Sequence, residues 1–456
     1  MTKVLAIALL AIRSAVRSRI VVVLLGLLLL SVVGLPLTVK GDGTLSGSVQ
    51  VLLRYTLGFV QAILSIATLW AGCAAISQEI QDKHLHLIVT KPVHRIQIWL
   101  GKWLGLLILN AALLAGTGVT VYALLRWNTR PGKLTAEDAR LLREEILVAR
   151  RLVRAEPFDV DQDARQELEE RAKRKELPPN MPPDQLYLAI RQSLLNEAYS
   201  VPAGFMRRWE FRLPGVPLAD RPLSLQYRFS SSDTSRSPVA GLWMVGAPDR
   251  PDRFQKAERS APDGVHTLQV PASMVDKDGV LTVDYANVNP IPITVAFSPD
   301  TGLELLEMEG GFGANYVRAL LVAFFQLAFL GAIAVTAGSL FSLPVAALTS
   351  GYVVLLIHIG PYLQTLAQQE KFFMSKYSPE PPPGVWDHAV RLIYVAMNVV
   401  VTPFQSADPL ELLSVGQLVS WLWVLSTLIL KVAVGAGILA LVSTWLFNRR
   451  EIGLPT

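Results

Sequence analysis

The residues whose side chains are best suited to bind a metal ion or a partner lie in one polar segment, 79–95, between two long apolar runs. Imidazole nitrogens together with a carboxylate are ligands that zinc and copper accept. The segment has no H-E-x-x-H spacing and no cysteine pair, so we favour polar contacts with a partner protein over a metal site or simple solvation. The predicted contact residues are Glu79, Lys83, His84, His86, Lys91, Pro92, His94 and Arg95.

Signatures of catalysis or nucleotide binding do not occur in the sequence. There is no G-x-x-x-x-G-K-[ST] loop to hold nucleotide phosphates, and no serine or cysteine nucleophile has a recognisable local signature. We therefore expect that the chain is not an enzyme and that it binds neither a cofactor nor a metal ion. Cys73 is the only cysteine, so no disulfide framework is expected.

The elements that must position this segment are membrane-spanning helices. The chain has 456 residues, of which 51% are hydrophobic and 17% charged, and its mean hydropathy is +0.38. Six apolar runs approach the roughly 20 residues that a helix needs to cross a bilayer. They cover residues 20–39, 55–76, 98–125, 317–343, 345–366 and 418–447. The predicted fold is an α-helical polytopic membrane protein with six transmembrane helices and a large extracytoplasmic α+β insert ending in a β-sandwich.

Basic residues beside the predicted spans indicate the orientation in the membrane. Short flanks rich in lysine and arginine favour the cytoplasm, which places both termini and segment 79–95 inside a bacterial inner membrane. Residues 1–19 form an amphipathic pattern with three arginines, so we expect a helix on the membrane surface. The net charge of +5 is explained by this orientation, and no nucleic-acid partner is expected.

The long segment 128–313 is then extracytoplasmic. Residues 128–208 read as helical: Leu142, Ile146, Ala149 and Val153 make one apolar stripe, and further helices are predicted over 161–176 and 184–198. Residues 209–313 change to an alternating pattern, as in "LSLQYRF" and "GVLTVDY", which predicts a β-sandwich. We expect its aromatic residues to be core rather than a sugar-stacking platform. They are Trp209, Tyr227, Trp243 and Tyr285.

The remaining elements complete the predicted topology. Spans one to three fill 20–127, spans four and five fill 314–366, and the last span with a cytoplasmic C-terminus fills 417–456. An extracytoplasmic loop, 367–416, contains an apolar stretch too short to cross, which predicts a re-entrant helix. Lys431 is either functional or at the membrane boundary, whereas Asn110 and His358 are predicted to be helix-packing groups.

A cytoplasmic segment that transmits movement to spans must be stiff, and 79–95 fits a short helix ended by Pro92. In the next helix, Trp99 and Trp103 are expected at interfacial depth, with Lys102 near the headgroups. Together with Glu79, the stretches "TKPVHR" and "GKWLG" resemble the permease subunits of ABC-2 type (type V exporter-like) ABC transporters. "SLFSLPVAAL" (339–348) and "WLFNRREIG" (445–453) are also similar to that family, although His84 and His94 stand where threonine and serine are frequent.

This resemblance implies a coupling helix at 79–95 that contacts an ABC ATPase subunit, present in two copies, which binds the ATP. It also implies a homo- or heterodimer of permease protomers and transport in the export direction. The insert would contact cargo or a periplasmic or cell-envelope partner. Two alternatives stay open: a mechanical transmitter driven by the same ATPase without a transport path, and a membrane-anchored binding scaffold.

Overall fold

A computed structural model of the chain divides into two compact units. The membrane unit comprises residues 1–149 and 311–456, and the β unit comprises Arg150–Gly310. The structure describes residues 3–17, 19–38, 45–81, 93–130, 135, 142, 146–174, 183–215, 223–233, 235, 237–368, 384–405 and 408–449.

The membrane unit is built from α-helices. Those before the β unit are α1 (Lys3–Arg17), α2 (Arg19–Leu29), α3 (Leu35–Thr38), α4 (Leu45–Gln50), α5 (Leu57–Gln81) and α6 (Arg95–Asn128). The β unit contains α7 (Asp161–Lys173) and α8 (Pro183–Ala198). Those after it are α9 (Phe312–Leu340), α10 (Leu343–His358), α11 (Gly360–Gln368), α12 (Val385–Val401), α13 (Pro409–Ser414), α14 (Trp421–Thr427) and α15 (Gly437–Arg449).

Four helical stretches of the described chain are long and apolar enough to cross a membrane. They are Gly47–Gln81, Arg95–Asn128, Phe312–Leu340 and Trp421–Arg449. Two further candidates are bent pairs: Lys3–Arg17 with Val21–Gly34, inclined by 67°, and Leu343–His358 with Gly360–Gln368, inclined by 61°. The count is therefore four, or up to six if each bent pair is one span. Four such helices are typical of a membrane protein.

Helix α9 is the centre of the membrane unit, and it packs closely on α5. A Cβ atom added to Gly72 would lie 2.6 Å from the Cβ atom of Ala334, and one added to Gly338 would clash with the carbonyl oxygen of Cys73. Small residues allow two membrane helices to approach at backbone distance, where dispersion contacts stabilise the pair without a hydrophobic effect. These two glycines therefore fix how α5 and α9 meet.

Wide, π-helical turns with i to i+5 hydrogen bonding interrupt helices in the described part of the membrane unit. Those with a fully described range are Leu30–Gly34, Val51–Thr56 and Leu428–Ala436. In the last one, a Cβ atom on Gly435 would meet the rings of Phe329 and Phe404 at 2.7 and 2.9 Å. The two rings stack with centroids 4.8 Å apart. The widened turn thus admits an aromatic pair beside the helix that carries Lys431.

The apolar stretch predicted to be re-entrant forms α12, followed by a 3-10 turn over Thr402–Phe404. Its N-terminus is capped by Asp387, whose carboxylate accepts a hydrogen bond from the backbone N–H of Gly384 at 2.8 Å. A helix of this length spans less than a ~30 Å hydrocarbon core. It is consistent with a segment that enters the membrane without crossing it.

Eleven strands of the described chain lie in or at the edge of the β unit. They are β1 (Val148–Arg154), β2 (Ser200–Val201), β3 (Met206–Arg212), β4 (Leu223–Tyr227), β5 (Phe229–Ser231), β6 (Val239–Val245), β7 (Phe254–Ser260), β8 (His266–Val270), β9 (Val280–Asn287), β10 (Val295–Phe297) and β11 (Leu303–Gly311). They form three sheets with the orders β1-β11-β4-β8, β2-β10-β5 and β3-β9-β6-β7.

The core of the β unit follows from strand alternation. In β6, every second residue is buried, and its partner β9 places Tyr285 opposite Trp243. The rings of these two residues lie 4.7 Å apart. Trp209, Tyr227, Trp243 and Tyr285 are all at most 2% exposed. The prediction that these aromatic residues are core is confirmed, and they leave no exposed platform for a sugar.

The prediction of a helix across the apolar stripe from Leu142 to Val153 is wrong for the second half of that segment. Residues Val148–Arg154 form β1, which pairs with β11 at the edge of a sheet. The segment has good helix formers, but pairing with a neighbouring strand satisfies its backbone and overrides local propensity. The helices α7 and α8 do occur where they were predicted.

Candidate functional site

Four helices of the membrane unit meet where the predicted contact segment is attached. Helix α5 ends at Gln81, α6 begins at Arg95, α9 ends at Leu340 and α15 ends at Arg449. We call this region the Glu79 end of the membrane unit. Of the predicted contact residues, the structure describes Glu79, His94 and Arg95. Lys83, His84, His86, Lys91 and Pro92 lie outside the described residues.

Glu79 and Lys102 form an ion pair between α5 and α6. The side chain of Lys102 is 8% exposed and that of Glu79 is 27% exposed, so the pair is largely withdrawn from water. The Oε1 atom of Glu79 accepts a hydrogen bond from the Lys102 ammonium group. The Oε2 atom of Glu79 is buried and has no hydrogen-bond partner among the described residues. A carboxylate oxygen in that state retains an unused capacity to accept a hydrogen bond.

Lys102 was expected near the headgroups; the structure shows its side chain buried against Glu79, and its depth in the membrane stays a prediction. The side chain is buried because Glu79, on the preceding helix, supplies its counter-charge. Charged residues in apolar surroundings are normally found paired with one another. The available sequence signal was the position of one acid and one base near the facing ends of two consecutive apolar runs.

Trp99 and Trp103 were predicted at interfacial depth; the structure shows them buried between helices, and their depth in the membrane stays a prediction. They are 2% and 9% exposed and stack on each other with ring centroids 5.5 Å apart. The indole N–H of Trp99 donates to Thr336 Oγ1 at 3.2 Å, and that of Trp103 donates to the carbonyl oxygen of Ala328 at 2.9 Å. Both tryptophans therefore join α6 to α9.

Arg95 opens α6 and is half-buried. Its guanidinium carbon lies 4.9 Å from the ring centroid of Phe447 on α15, a cation–π contact. Its Nη1 atom is buried and has no hydrogen-bond partner in the described part of the chain. Beside it, the hydroxyl groups of Ser339 and Ser443 join α9 to α15 at 2.7 Å. Arg95 thus ties α6 to α15 while one donor stays unused.

His94 precedes α6 and is exposed, and its backbone N–H donates to the side chain of Gln97 at 3.3 Å. Among the described residues no group of three histidine, cysteine, aspartate or glutamate side chains is placed to hold a metal ion. Because His84 and His86 are outside that set, the metal alternative at segment 79–95 stays an untested prediction.

The polar residues expected within the spans have different surroundings. Asn110 is buried, and its amide donates to Thr68 Oγ1 on α5 at 2.9 Å, as predicted for a helix-packing group. His358 is exposed, and its Nδ1 bonds the carbonyl oxygen of Val354 in its own helix at 3.0 Å. Lys431 is 7% exposed and lies in the wide turn Leu428–Ala436, so its side chain is buried within the protein; both predictions for this residue, a functional group or a position at the membrane boundary, stay open.

The β unit contains a second buried carboxylate, Asp284 on β9. Arg208 donates to Asp284 Oδ1 at 2.8 Å and to Oδ2 at 3.1 Å, and Arg253 donates to Oδ2 at 2.8 Å. Burial alone would raise the pKa of Asp284, but the hydrogen bonds from Arg208 and Arg253 outweigh it and lower the pKa. Both oxygens of this carboxylate are therefore occupied.

No protein-family model, no characterised protein and no solved structure matches this chain. The function is therefore argued from the geometry of the described residues.

Proposed function

We propose that this chain is the membrane-spanning permease subunit of an ABC exporter, whose Glu79 end receives force from a separate ATPase subunit. In this proposal, two permease protomers and two ATPase subunits form the complex in a bacterial inner membrane. Each bent helix pair contributes one span, which gives six spans, and both termini are cytoplasmic. The three sheets of the β unit form an extracytoplasmic β-sandwich that meets cargo or an envelope partner.

The observation that carries the proposal is the pair of unused polar atoms at the two ends of segment 79–95. Glu79 Oε2 and Arg95 Nη1 are each buried without a partner among the described residues. Leaving such atoms unpaired costs about 1–3 kcal/mol each, and more for charged groups. Hydrogen bonds formed in a complex with another subunit would remove that cost.

The same two residues are joined to the helices that would have to move. Glu79 is paired with Lys102, next to the tryptophans that fasten α6 to α9, and Arg95 contacts Phe447 on α15. A displacement of the segment between Glu79 and Arg95 would therefore act on α5, α6 and α15 together. Packed helices respond to such a displacement by changing between discrete arrangements rather than by deforming smoothly.

The test is co-purification of the chain with the products of its neighbouring genes, followed by measurement of ATP hydrolysis in nanodiscs. Glu79→Gln and Arg95→Gln each remove one charge and keep most of the side-chain volume. We expect either change to lower the retained ATPase, or its hydrolysis rate, by about 10-fold or more, because one charge-assisted hydrogen bond is worth about 1.5–3 kcal/mol.

The matched control is Arg449→Gln. Arg449 is a basic residue at the same end, but it stacks on Trp445 with its guanidinium carbon 4.1 Å from the ring centroid. This variant should retain the ATPase at the level of the unmodified chain. If assembly and ATP hydrolysis are unchanged in both the Glu79→Gln and the Arg95→Gln variants, the proposal that the Glu79 end contacts the ATPase is contradicted. A chain that never retains an ATPase would instead support the membrane-anchored scaffold.

The mechanical transmitter is a second candidate, and the packing of α9 favours it. Of the most apolar 18-residue window of this helix, 72% of the residues are buried, against 33% for each of the other three long helices. A protomer packed so closely around one helix suits the transfer of force through the membrane. Transport of solute into sealed vesicles by the reconstituted complex would exclude it, whereas ATP-dependent changes in the β unit without transport would support it.

A further inference from the structure

Helix α1 has one face that is closely packed against the membrane unit. A Cβ atom on Gly101 would lie 2.6 Å from the Cβ atom of Ile7, and one on Gly105 would lie 2.9 Å from the carbonyl oxygen of Ala8. The spacing of Gly101 and Gly105 is that of a G-x-x-x-G motif, which lets two helices approach closely. The "GKWLG" stretch is therefore the groove on α6 that receives α1.

The opposite sides of α1 are not covered by the described residues. One row is apolar and contains Leu5, Leu9 and Val16, which are 44%, 38% and 57% exposed. A neighbouring row carries Arg13 and Arg17, both exposed, one helical turn apart. Neither arginine has an ion-pair partner among the described side chains, and residues 3–38 contain no aspartate or glutamate. An apolar row beside a basic row is the pattern of a helix at an anionic lipid surface.

The direction of α1 agrees with that surface. It is inclined by 67° to Val21–Gly34, the helix that follows it along the chain. A helix inclined so strongly to a membrane-crossing helix lies close to the bilayer plane. Residues 21–34 also expose apolar side chains, such as Val22 and Leu29, which are 67% and 69% exposed. The apolar row of α1 thus continues along the chain into a surface that lipid tails would cover.

We propose that α1 is an anionic-lipid-binding element that holds the start of α6, and with it the Glu79–Lys102 ion pair, at the membrane surface. Arg13 and Arg17 contact headgroup phosphates, while Ile7 and Ala8 pack in the groove at Gly101 and Gly105. Lys102 directly follows Gly101, so loss of the lipid contact would loosen the Glu79 end. This inference rests on the membrane topology proposed above, but it requires no ATPase.

The test compares the full-length chain in nanodiscs of phosphatidylcholine alone and with about 30% phosphatidylglycerol, using hydrogen exchange. We expect the anionic lipid to raise the protection of amides in 3–17 and 95–105. A basic residue near an anionic surface is worth about 1 kcal/mol, so the double variant Arg13→Gln/Arg17→Gln should lose about 30-fold in this lipid-dependent protection. Both side chains are exposed, so the variant is expected to fold.

Two control variants separate the lipid contact from other causes. Arg126→Gln/Arg391→Gln removes two exposed cations from other helices, α6 and α12, and should keep the full lipid dependence. Gly101→Leu disturbs the groove on α6, so it should lower protection of 3–17 in both lipid compositions and keep their ratio. The proposal is overturned if protection is equal in the two lipid compositions, if the control double variant loses it equally, or if protection of 3–17 rises only when a soluble ATPase partner is added.

Discussion

Asp284 in the β unit and Glu79 in the membrane unit are both held by basic side chains, yet they differ in how completely they are satisfied. Three hydrogen bonds from Arg208 and Arg253 occupy both oxygens of Asp284, which is fully buried. Glu79 has one oxygen bound to Lys102, and its other oxygen is buried without a partner among the described residues. The chain itself occupies both carboxylate oxygens of Asp284, although Nε of Arg253 is buried without a partner among the described residues, whereas it occupies only one carboxylate oxygen of Glu79.

This difference separates a structural cluster from a candidate contact site. A buried carboxylate whose two oxygens are both bound by side chains of the same unit strengthens the packing around it and has no acceptor left for another donor. A partly buried ion pair with a buried, unused carboxylate oxygen keeps a desolvation cost that a further donor would remove. We therefore expect changes at Asp284 to act mainly on stability, and changes at Glu79 to act mainly on assembly with another subunit.

The largest effect is expected from Asp284→Ala. It leaves Arg208 and Arg253 without their shared counter-ion, and removing one partner from a buried charged cluster costs about 3–5 kcal/mol. Hydrogen exchange of the β9 amides in the full-length protein should show this as a loss of protection confined to the β unit. The matched control is Asp252→Ala, because Asp252 pairs with Arg250 at an exposed position. Equal behaviour of the two variants would mean that the Asp284 cluster is not structural.

A smaller effect is expected for the Glu79–Lys102 pair, measured by a double-mutant cycle of Glu79→Gln and Lys102→Met. We expect a coupling energy of about 1–3 kcal/mol in the thermal stability of the detergent-solubilised chain, because the pair is partly withdrawn from water. The comparison pair is Arg54–Glu411, 2.7 Å apart with both side chains 50% exposed. An exposed pair should give about 0–1 kcal/mol. If the coupling energy of Glu79–Lys102 is no larger than that of Arg54–Glu411, the Glu79–Lys102 pair does not stabilise the packing of α5 against α6.

The sequence was sufficient where a pattern acts over a few residues. Leu223, Leu225 and Tyr227 are buried in β4, and Leu281, Val283 and Tyr285 are buried in β9, as their alternation predicted. The period of a strand is a local property, so one buried face is readable without knowing its neighbours. The four long apolar helices were predicted for the same reason.

The sequence was insufficient where the outcome depends on a distant partner. Val148–Arg154 became a strand because β11 pairs with it, and β11 lies about 150 residues further along the chain. The burial of Lys102 was not predicted, because it depends on the position of Glu79 on another helix. The groove for α1 at Gly101 and Gly105 likewise required the packing of two separate helices.

The smallest effect is expected from acid. The pKa of Asp284 is lowered in the folded protein by its two arginines, so its contribution to stability is present above the pKa of the unfolded chain. That contribution is lost as the pH falls through the lowered pKa of the folded state. Protonation leaves the carboxyl group in place to accept hydrogen bonds, so acid should cost less than Asp284→Ala.

Protection of the β9 amides, corrected for intrinsic exchange, should therefore fall as the pH drops below about 4, the ordinary pKa of an aspartate, because the folded-state pKa lies below that value. Glu304 acts in the opposite direction, because burial raises its pKa and protonation then relieves a cost. The variant Glu304→Gln should steepen the fall, and Asp284→Asn should flatten it. A fall of the same size in the Asp284→Asn variant would assign the acid response to other carboxylates, and the comparison between Asp284 and Glu79 would lose its electrostatic basis.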